Sequence, residues 1–268
     1  MAPDPGRAVP DLRIDVAHPA RVYDYVLGGK DNFPADRAAA EQAMAGWPGL
    51  TTSMRQGRAF MVRAVRYLAE AGIDQFLDVG TGIPTSPNVH EVVQAVIPGA
   101  RVVYVDNDPI VLTHARALLT SDGQGRTAYL DADLREPEAI LTSPELLGTL
   151  DLTRPVALSV IGITQFVPDE VAYDVVARLM QRLPSGSYLA LSTVTADSDP
   201  DVMQAVKAYN DRGIFAVART KPQVEAFFDG LELVEPGVAL AHRWRPDADT
   251  APAADNQVAM YGGIARKH

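Results

Sequence analysis

A short apolar run that ends in an acid and a glycine-rich turn constrains the fold of this chain more than any other segment. The run Phe76–Val79 predicts a buried strand, and Gly80 and Gly82 lie one residue apart in the turn that follows it. Glycine adopts positive φ without strain and lets a backbone approach a ligand closely. Open α/β sheets bind ligands beyond the carboxyl ends of their strands, so Asp78 is expected at a ligand-binding edge.

Strands and helices alternate after this motif. Apolar runs followed by a loop and an amphipathic segment predict a Rossmann-like, doubly wound α/β fold with a mostly parallel sheet. The predicted strands are Phe76–Val79, Arg101–Val105, Thr127–Leu130, Pro155–Ile161, Ser187–Val194, Leu231–Val234 and Val258–Ala265. The predicted helices among them are Asn88–Val96, Pro109–Leu119, Asp169–Arg182, Asp201–Asn210 and a segment that opens at Arg219 and ends at Phe228.

Three predicted helices precede the first strand, with no strand between them. They are Ala20–Leu27, Pro34–Met44 and Thr52–Ala71. The third has an apolar face, and its arginines gather on the opposite face, at Arg55, Arg58, Arg63 and Arg66. Such a cluster predicts a solvated helix face, with a surface for acidic ligands as the alternative.

An acid after the second strand indicates an adenosine cofactor. Asp106 lies where an acid about 20 residues beyond the glycine turn accepts hydrogen bonds from ribose hydroxyls. Dinucleotide folds add a third glycine, in the pattern G-x-G-x-x-G, and hold a pyrophosphate at the next helix. Here that position is Thr85, and Pro84 and Pro87 precede the helix. Asp78 would repel a pyrophosphate and attract an amine, which favours S-adenosylmethionine.

Composition excludes several classes of function. A chain of 268 residues fits one α/β domain with an appendage. The net charge of -10 disfavours general nucleic-acid binding, which depends on lysine and arginine. The absence of cysteine excludes disulfides and thiolate sites, and the five histidines have no metal-ligand spacing. With no signal-peptide pattern and no apolar run long enough to span a bilayer, we expect a cytoplasmic protein that binds neither metal nor membrane.

Several longer motifs resemble one known family. They are RVYDYVLGGKDNFPADR (Arg21–Arg37), FLDVGTGIPTSPNVHE (Phe76–Glu91), VVYVDNDPIVLTHARALL (Val102–Leu119), DADLREP (Asp131–Pro137), QFVPDE (Gln165–Glu170), FFDGLELVEPG (Phe227–Gly237) and MYGGIARK (Met260–Lys267). Together they resemble the S-adenosyl methyltransferase family found mainly in GC-rich bacteria, long catalogued as a domain of unknown function. The resemblance extends from Ala20 to Lys267.

The resemblance implies the class I methyltransferase fold, a seven-stranded sheet of order 3-2-1-4-5-7-6 whose seventh strand is antiparallel. It also implies roles around S-adenosyl-L-methionine: the glycine turn under the methionine moiety, Asp106 at the ribose and Asp133 with Leu134 at the adenine, with Asp131 as the competing acid. The backbone around Ile161 and Gly162 would hold the methionine amine. The full predicted cofactor-binding set is Tyr23, Asn32, Asp78, Gly80, Thr81, Gly82, Pro84, Asp106, Asn107, Asp133, Leu134, Ile161 and Gly162.

The segment before the sheet is expected to cover the site. Residues 1–17 are expected to form a flexible tail, 18–72 a helical lid that contributes Tyr23 and Asn32, and 73–268 the methyltransferase domain. The mixture of glycines, charges and aromatic residues in Arg21–Arg37 favours a lid, although a capped helix followed by a turn would also account for each residue singly.

The catalytic residues stay unassigned at this stage. Many class I enzymes carry a histidine or a further aromatic residue after the fourth strand, where this chain reads Gly162–Phe166. Tyr23, Asp31 and Gln165 are candidates for a general base only through their expected positions. The predicted function is methyl transfer to an unidentified small molecule. The alternatives are a non-catalytic S-adenosylmethionine-binding protein and an NAD(P)-dependent oxidoreductase.

Overall fold

The computed structural model describes residues 12–118 and 124–268, and for 114–118 the backbone alone. The predicted tail up to residue 11, the helix end at Leu119 and the side chain of His114 lie outside that description. The helices are α1 (Pro19–Val26), α2 (Pro34–Gly46), α3 (Leu50–Glu70), α4 (Val89–Val96), α5 (Pro109–Leu118), α6 (Pro137–Leu141), α7 (Pro144–Leu147), α8 (Asp169–Arg182), α9 (Val202–Asp211) and α10 (Lys221–Glu225). Short 3-10 turns cover Thr164–Phe166, Ala226–Phe228, Ala241–Arg243 and Asp255–Gln257.

The strands form one mixed sheet. They are β1 (Gln75–Val79), β2 (Arg101–Asp106), β3 (Arg126–Asp131), β4 (Ala157–Ile161), β5 (Tyr188–Val194), β6 (Glu232–Leu233), β7 (Ala239–Leu240) and β8 (Met260–Arg266). The order is β3-β2-β1-β4-β5-β8-β6, with β7 paired to β8. Strands β1 to β5 pair in parallel, and β8 runs antiparallel to its partners. The predicted fold class is confirmed, with the two-residue β7 as an addition.

Both faces of the sheet are buried. Every residue of β1 is buried, as expected for a central strand of a parallel sheet covered on both sides. On one face, α3 packs Phe60, Ala64 and Leu68 into the same apolar cluster as Phe76. The helix α8 belongs to the cluster on the other face. The helix α3, at the end of the predicted lid segment 18–72, thus shares its apolar core with the strands.

The arginines of α3 do not share one solvated face, contrary to the prediction. Arg55 and Arg66 are exposed, but Arg63 is only 6% exposed. The Nε of Arg63 donates to the carbonyl of Trp244 at 3.0 Å, and Nη2 donates to that of Ala241 at 2.6 Å. Buried carbonyls require donors, and Arg63 satisfies two of them where a distant segment crosses the helix.

Helices α1 and α2 pack on α9 in a separate apolar cluster. Val22, Ala40 and Trp47 meet Val206 and Tyr209 there. The residues of α9 that face the cavity therefore lie between α1 and α2 on one side and the sheet on the other. This packing places α9 beside the carboxyl ends of β4 and β5.

Candidate active site

A cavity of about 340 Å³ lies at the carboxyl ends of β1, β2, β4 and β5. It runs from the loop after β3, across the glycine turn after β1, to α9. Parallel strands bring residues that are far apart in sequence to this one edge, which is where open α/β sheets bind ligands. Residues of α1 and α3 complete the wall.

The glycine turn has the geometry that the sequence predicts. Gly80 and Gly82 have φ of 78° and 69°. A Cβ on Gly80 would lie 2.6 Å from Ile163, so a side chain there would also collide with the loop after β4. The amide of Gly80 donates to the carbonyl of Val105 at 2.9 Å, which ties the turn to β2. Thr81 lines the cavity beside them.

Asp106 is held in place by backbone amides. Its Oδ2 accepts from Gly82 N at 2.8 Å, and its Oδ1 accepts from Asp108 N at 3.0 Å. Burial raises the pKa of Asp106, and these two hydrogen bonds oppose the rise. The carboxylate lines the cavity with acceptor capacity to spare, because each oxygen has a second lone pair.

Asp78 is a buried carboxylate on the cavity wall. Its side chain is 7% exposed, and burial raises its pKa from 3.8 to about 6. The side-chain hydroxyls of Ser159 and Thr81 are the largest influences opposing this rise, the positive charge of Arg58 opposes it further, and the carboxylate of Asp106 adds to it. No ion pair compensates Asp78 among the described residues, so a cationic ligand group would be favoured beside it.

Arg58 is a site residue that the sequence reasoning missed, because it was assigned to the solvated face. It lines the cavity, and its Nη2 donates to the carbonyls of Pro87, at 2.8 Å, and of Thr85. Its Nε is buried and has no hydrogen-bond partner in the described structure. Arg58 therefore fastens the loop after β1 to α3 and brings a positive charge to the cavity.

The loop after β3 forms one end of the cavity. Asp133 and Leu134 line it, whereas Asp131 is exposed and lies off it. Asn107 Nδ2 donates to Asp133 Oδ2 at 3.0 Å, and Arg135 Nε donates to Asp133 Oδ1 at 2.9 Å. The hydrogen bond from Arg135 is the main cause of a lowered pKa for Asp133, which is therefore ionised at neutral pH.

The amino-terminal helix contributes to the wall. His18 and Tyr23 both line the cavity. His18 Nδ1 lies 2.8 Å from Asp108 Oδ2, and Tyr23 donates to the carbonyl of Met54 at 3.4 Å. Burial raises the pKa of Tyr23, so this phenol is neutral. The contact of His18 with Asp108 places the start of α1 against the loop after β2.

Two predicted residues do not line the cavity. Pro84 lies behind the glycine turn, and Asn32 lies inside the loop between α1 and α2. Asn32 Nδ2 donates to Asp24 Oδ2 at 2.8 Å, and its Oδ1 accepts from Arg37 at 3.0 Å. Asn32 therefore has a structural role within this loop. Asp31, a candidate base, lies in the same loop away from the cavity.

The loop after β4 lies between the two ends of the cavity. Ile161 and Gly162 line it, and Gly162 has φ of 68°. Gln165 Nε2 donates to the Gly162 carbonyl at 2.6 Å. Its Oε1 is buried without a hydrogen-bond partner among the described residues.

The cavity continues past this loop into an apolar region that the sequence did not predict. We call it the apolar chamber, and it is lined chiefly by Trp47, Met54, Phe166, Val206, Tyr209 and Met260. These residues come from α3, α9, β8 and the segments beside them, and hydrophobic periodicity alone does not show that they converge.

The residues present fit S-adenosylmethionine. The uncompensated carboxylate of Asp78 suits a group that carries an amine and a sulfonium, and Asp106 is an acceptor for hydroxyl donors. Because residue 80 is a glycine, a ligand can approach the backbone closely there, and a Cβ at this position would collide with Ile163. A dinucleotide would place its pyrophosphate against Asp78, which like charges disfavour.

Comparison with known sequences settles the family. The sequence profile of the family described as S-adenosyl methyltransferase matches residues 6–268. The chain belongs to the S-adenosyl methyltransferase family. It is an S-adenosylmethionine-dependent methyltransferase, as predicted. No protein with a curated description matches the sequence.

Solved structures agree with this family. A duf574 family protein from Streptomyces avermitilis is 54% identical, with a TM-score of 0.94 over 96% of this chain and 100% of that one. A proposed methyltransferase from Thermobifida fusca is 42% identical, with a TM-score of 0.88 over 96% and 97%. The magnesium protoporphyrin IX methyltransferase of Synechocystis, solved with SAM, shares the fold at 13% identity, with a TM-score of 0.51 over 92% and 90%.

The described residues of this methyltransferase also include helices and ionisable side chains outside the cavity. None of their helices is both long enough and apolar enough to cross a membrane. Within the same ranges, no three His, Asp or Glu side chains are grouped to hold a metal ion. Asp197, Asp199 and Asp201 each accept a hydrogen bond from a neighbouring loop or helix residue.

Proposed function

We propose that this methyltransferase holds S-adenosylmethionine between the loop after β3 and the loop after β4, and methylates a small molecule seated in the apolar chamber. The observation that carries the proposal is the continuous cavity, with a buried, uncompensated Asp78 at its centre and an uncharged chamber beside it. A protein that only bound the cofactor would not need this second compartment.

Each end of the proposed cofactor site has suitable groups. Asp106 would accept from the ribose hydroxyls, with Gly82 N fixing the carboxylate. Asp133 and Leu134 would contact the adenine, one through a hydrogen bond and the other through its apolar side chain. Asp78, together with the backbone at Gly162, would hold the methionine amine. All six of these residues belong to the cofactor-binding set that the sequence predicts.

The chain's contribution to the reaction is alignment and exclusion of water. When bound, S-adenosylmethionine supplies a methyl group on a positively charged sulfur that leaves as a neutral thioether. Holding the acceptor atom in line with that methyl group accounts for most of the rate. Tyr23 and Gln165 line the cavity, but neither is a strong base, since the phenol is neutral and an amide does not titrate. The acceptor would therefore attack with its own lone pair. As its bond to the methyl carbon forms and the carbon–sulfur bond breaks, the positive charge would pass from the sulfur to the acceptor, which then loses its hydroxyl or amine proton to solvent.

Two features support a small acceptor over a macromolecule. The chamber is lined by residues of α3, α9 and β8, and the whole cavity measures about 340 Å³. A net charge of -10 also opposes nucleic acid as a substrate, because phosphates would be repelled.

The test is a search for labelled products. Purified protein, S-adenosylmethionine labelled in its methyl group and a small-molecule extract should give a labelled product, while Asp106→Ala protein should give much less. Binding of S-adenosylhomocysteine without any labelled product would support the non-catalytic alternative. Titration with NAD(P) tests the oxidoreductase alternative, and we expect no binding.

A further inference from the structure

The apolar chamber differs in charge from the rest of the cavity. The charged side chains that line the cavity come from the start of α1, from α3 and from the ends of β1 to β3. They are His18, Arg58, Asp78, Asp106, Asp133 and Arg135. The residues that define the chamber are all uncharged. Arg58 follows Met54 by one helical turn, but its Nη2 is bonded to the carbonyls of Pro87 and Thr85. An acceptor in contact with the six chamber residues alone therefore meets no side chain that could balance a formal charge.

Tyr209 is the polar group of the chamber that no neighbour uses. It lies on α9, is 6% exposed, and its hydroxyl has no hydrogen-bond partner among the described residues. Burial alone raises its pKa, so the phenol stays neutral and can donate one hydrogen bond and accept another. Because Tyr209 lines the cavity, a ligand there could pair with this hydroxyl.

Gln165 provides a second unused atom. Its amide nitrogen is committed to the Gly162 carbonyl, and its Oε1 has no partner among the described residues. Gln165 lines the cavity, is bonded to the loop after β4 and precedes the chamber residue Phe166 in the same short turn. Neither Gln165 nor Tyr209 offers a charge, and both can pair with a neutral hydroxyl or amine group.

Aromatic and methionine side chains form much of the chamber wall and suit contact with a ring. The rings of Phe166 and Tyr209 lie 6.0 Å apart at an angle of 39°, and Trp47 contributes a third aromatic side chain. Met54 and Met260 complete the wall, and methionine adapts to a ring through its flexible, polarisable thioether.

We infer, on the basis of the proposed function, that the methyl acceptor is an uncharged, largely apolar, ring-containing molecule with a hydroxyl or amine group that hydrogen-bonds to Tyr209 or Gln165. A carboxylate or ammonium group would lose its hydration in the chamber without gaining a partner, which costs several kcal/mol. The chamber therefore selects for neutral acceptors and against their charged analogues.

The test compares two probes of one shape and different charge, 1-naphthol and 1-naphthoate. Binding to the full-length protein is measured by calorimetry, with and without saturating S-adenosylhomocysteine. We expect 1-naphthol to bind at least about tenfold more tightly than 1-naphthoate, corresponding to about 1.4 kcal/mol. Equal affinity, or tighter binding of 1-naphthoate, overturns the inference.

Four variants locate the probe. Tyr209→Phe removes only the unpartnered hydroxyl and should weaken 1-naphthol binding about threefold or more. Val206→Phe narrows the chamber and should abolish that binding, whereas Met203→Phe, on the same helix at a position that is 50% exposed, should leave it unchanged. If Val206→Phe fails to fold, Tyr209→Phe and Gln165→Met decide together, and unchanged 1-naphthol affinity in both variants overturns the inference.

The outcome separates this inference from the function on which it rests. If S-adenosylhomocysteine does not bind, the proposed function fails, while the probe titrations without it still decide what the chamber prefers. If S-adenosylhomocysteine binds normally and the two naphthalenes bind alike, only the inference on the acceptor fails.

Discussion

At the scale of single residues, the buried carboxylate of Asp78 lowers the stability of the ligand-free protein while it favours binding of a cationic ligand. Its pKa of about 6 means that the folded protein holds this proton more tightly than the unfolded chain, where the ordinary value is 3.8. Stability therefore falls as the pH rises between these two values, and the full penalty is present above pH 6. The carboxylate that would bind a cation is one that the empty protein disfavours.

Replacing Asp78 with asparagine should raise the stability of the ligand-free protein and weaken cofactor binding. At about 1.4 kcal/mol per pH unit, the penalty removed is up to about 3 kcal/mol at pH 7.5. We expect a higher melting temperature without ligand and at least about tenfold weaker binding of S-adenosylhomocysteine. Asp131→Asn, at the exposed end of β3, is the control and should change neither value.

Cofactor affinity should depend on pH through the same group. The amine of S-adenosylhomocysteine requires the ionised form of Asp78, so affinity should be constant at neutral pH and fall as the pH drops below about 6. The decrease is about fivefold between about pH 6 and 5 and approaches tenfold per pH unit below that. Calorimetry of the wild-type protein and Asp78→Asn measures it, and an equally steep decrease in the variant would assign the effect to another group.

The substitution Asp106→Ala should weaken binding of S-adenosylhomocysteine while the fold persists. A hydrogen bond to a charged acceptor contributes about 1.5–3 kcal/mol, which is about tenfold or more in affinity. Circular dichroism checks the fold and calorimetry the affinity. An unchanged dissociation constant would show that the ribose does not lie at the end of β2.

At the scale of elements, α1 has one face on the cavity and another on the solvent. Tyr23 lines the cavity, while Tyr25 on the same helix bonds through its hydroxyl to Glu41 at 3.0 Å. If α1 is part of a lid, the first tyrosine should matter for cofactor binding and the second should not.

We expect Tyr23→Ala to raise the KM for S-adenosylmethionine about tenfold, because loss of a buried aromatic contact costs about 1–2 kcal/mol. Tyr25→Ala is the matched control and should retain the wild-type KM. Steady-state kinetics on an acceptor found in the labelling search, or calorimetry with S-adenosylhomocysteine, measures the difference. Equal effects of the two substitutions would contradict a lid role for this face of α1.

The elements themselves were largely predictable from sequence. The predicted helix Asp169–Arg182 has the observed bounds of α8, and the first five strands each lie within two residues of the prediction. The helices α6 and α7 were missed because they are short, although Pro137 and Pro144 at their first turns are a start signal. Strand β7 has two residues and no pattern of its own.

The part of the site that depends on the order of strands and acidic residues along the sequence was predictable. Asp78 and Asp106 follow consecutive strands, which parallel topology brings to one edge. The buried state of Arg63 and the convergence of Tyr209 with Met260 depend on contacts across the fold, which hydrophobic periodicity does not contain. The role of each lining residue in binding S-adenosylmethionine stays a prediction.

At the scale of the whole molecule, one ligand should stabilise both the sheet and the helical layer. The cavity is lined by residues of α1, α3, α9 and five strands, so occupancy opposes their separation. At 100 times its dissociation constant, S-adenosylhomocysteine should add about 2.7 kcal/mol, which shifts the melting temperature by about 5–10 °C. Thermal unfolding measures it, and calorimetry should give one site per chain. No shift at saturation would contradict the assignment of this cavity.

The hydrogen bond from Ala259 N to Ser53 Oγ, at 3.0 Å, joins positions that are 206 residues apart. Ala259 and Met260 line the cavity, so its wall stays open until β8 has left the ribosome. At a translation rate of about 5–20 residues per second, Ala259 is synthesised about 10–40 s after Ser53 of α3. During that interval the apolar face of α3 is available to chaperones, and the cofactor has no finished site to bind. A nascent chain of this enzyme therefore depends on its last strand before the metabolite that stabilises it can act.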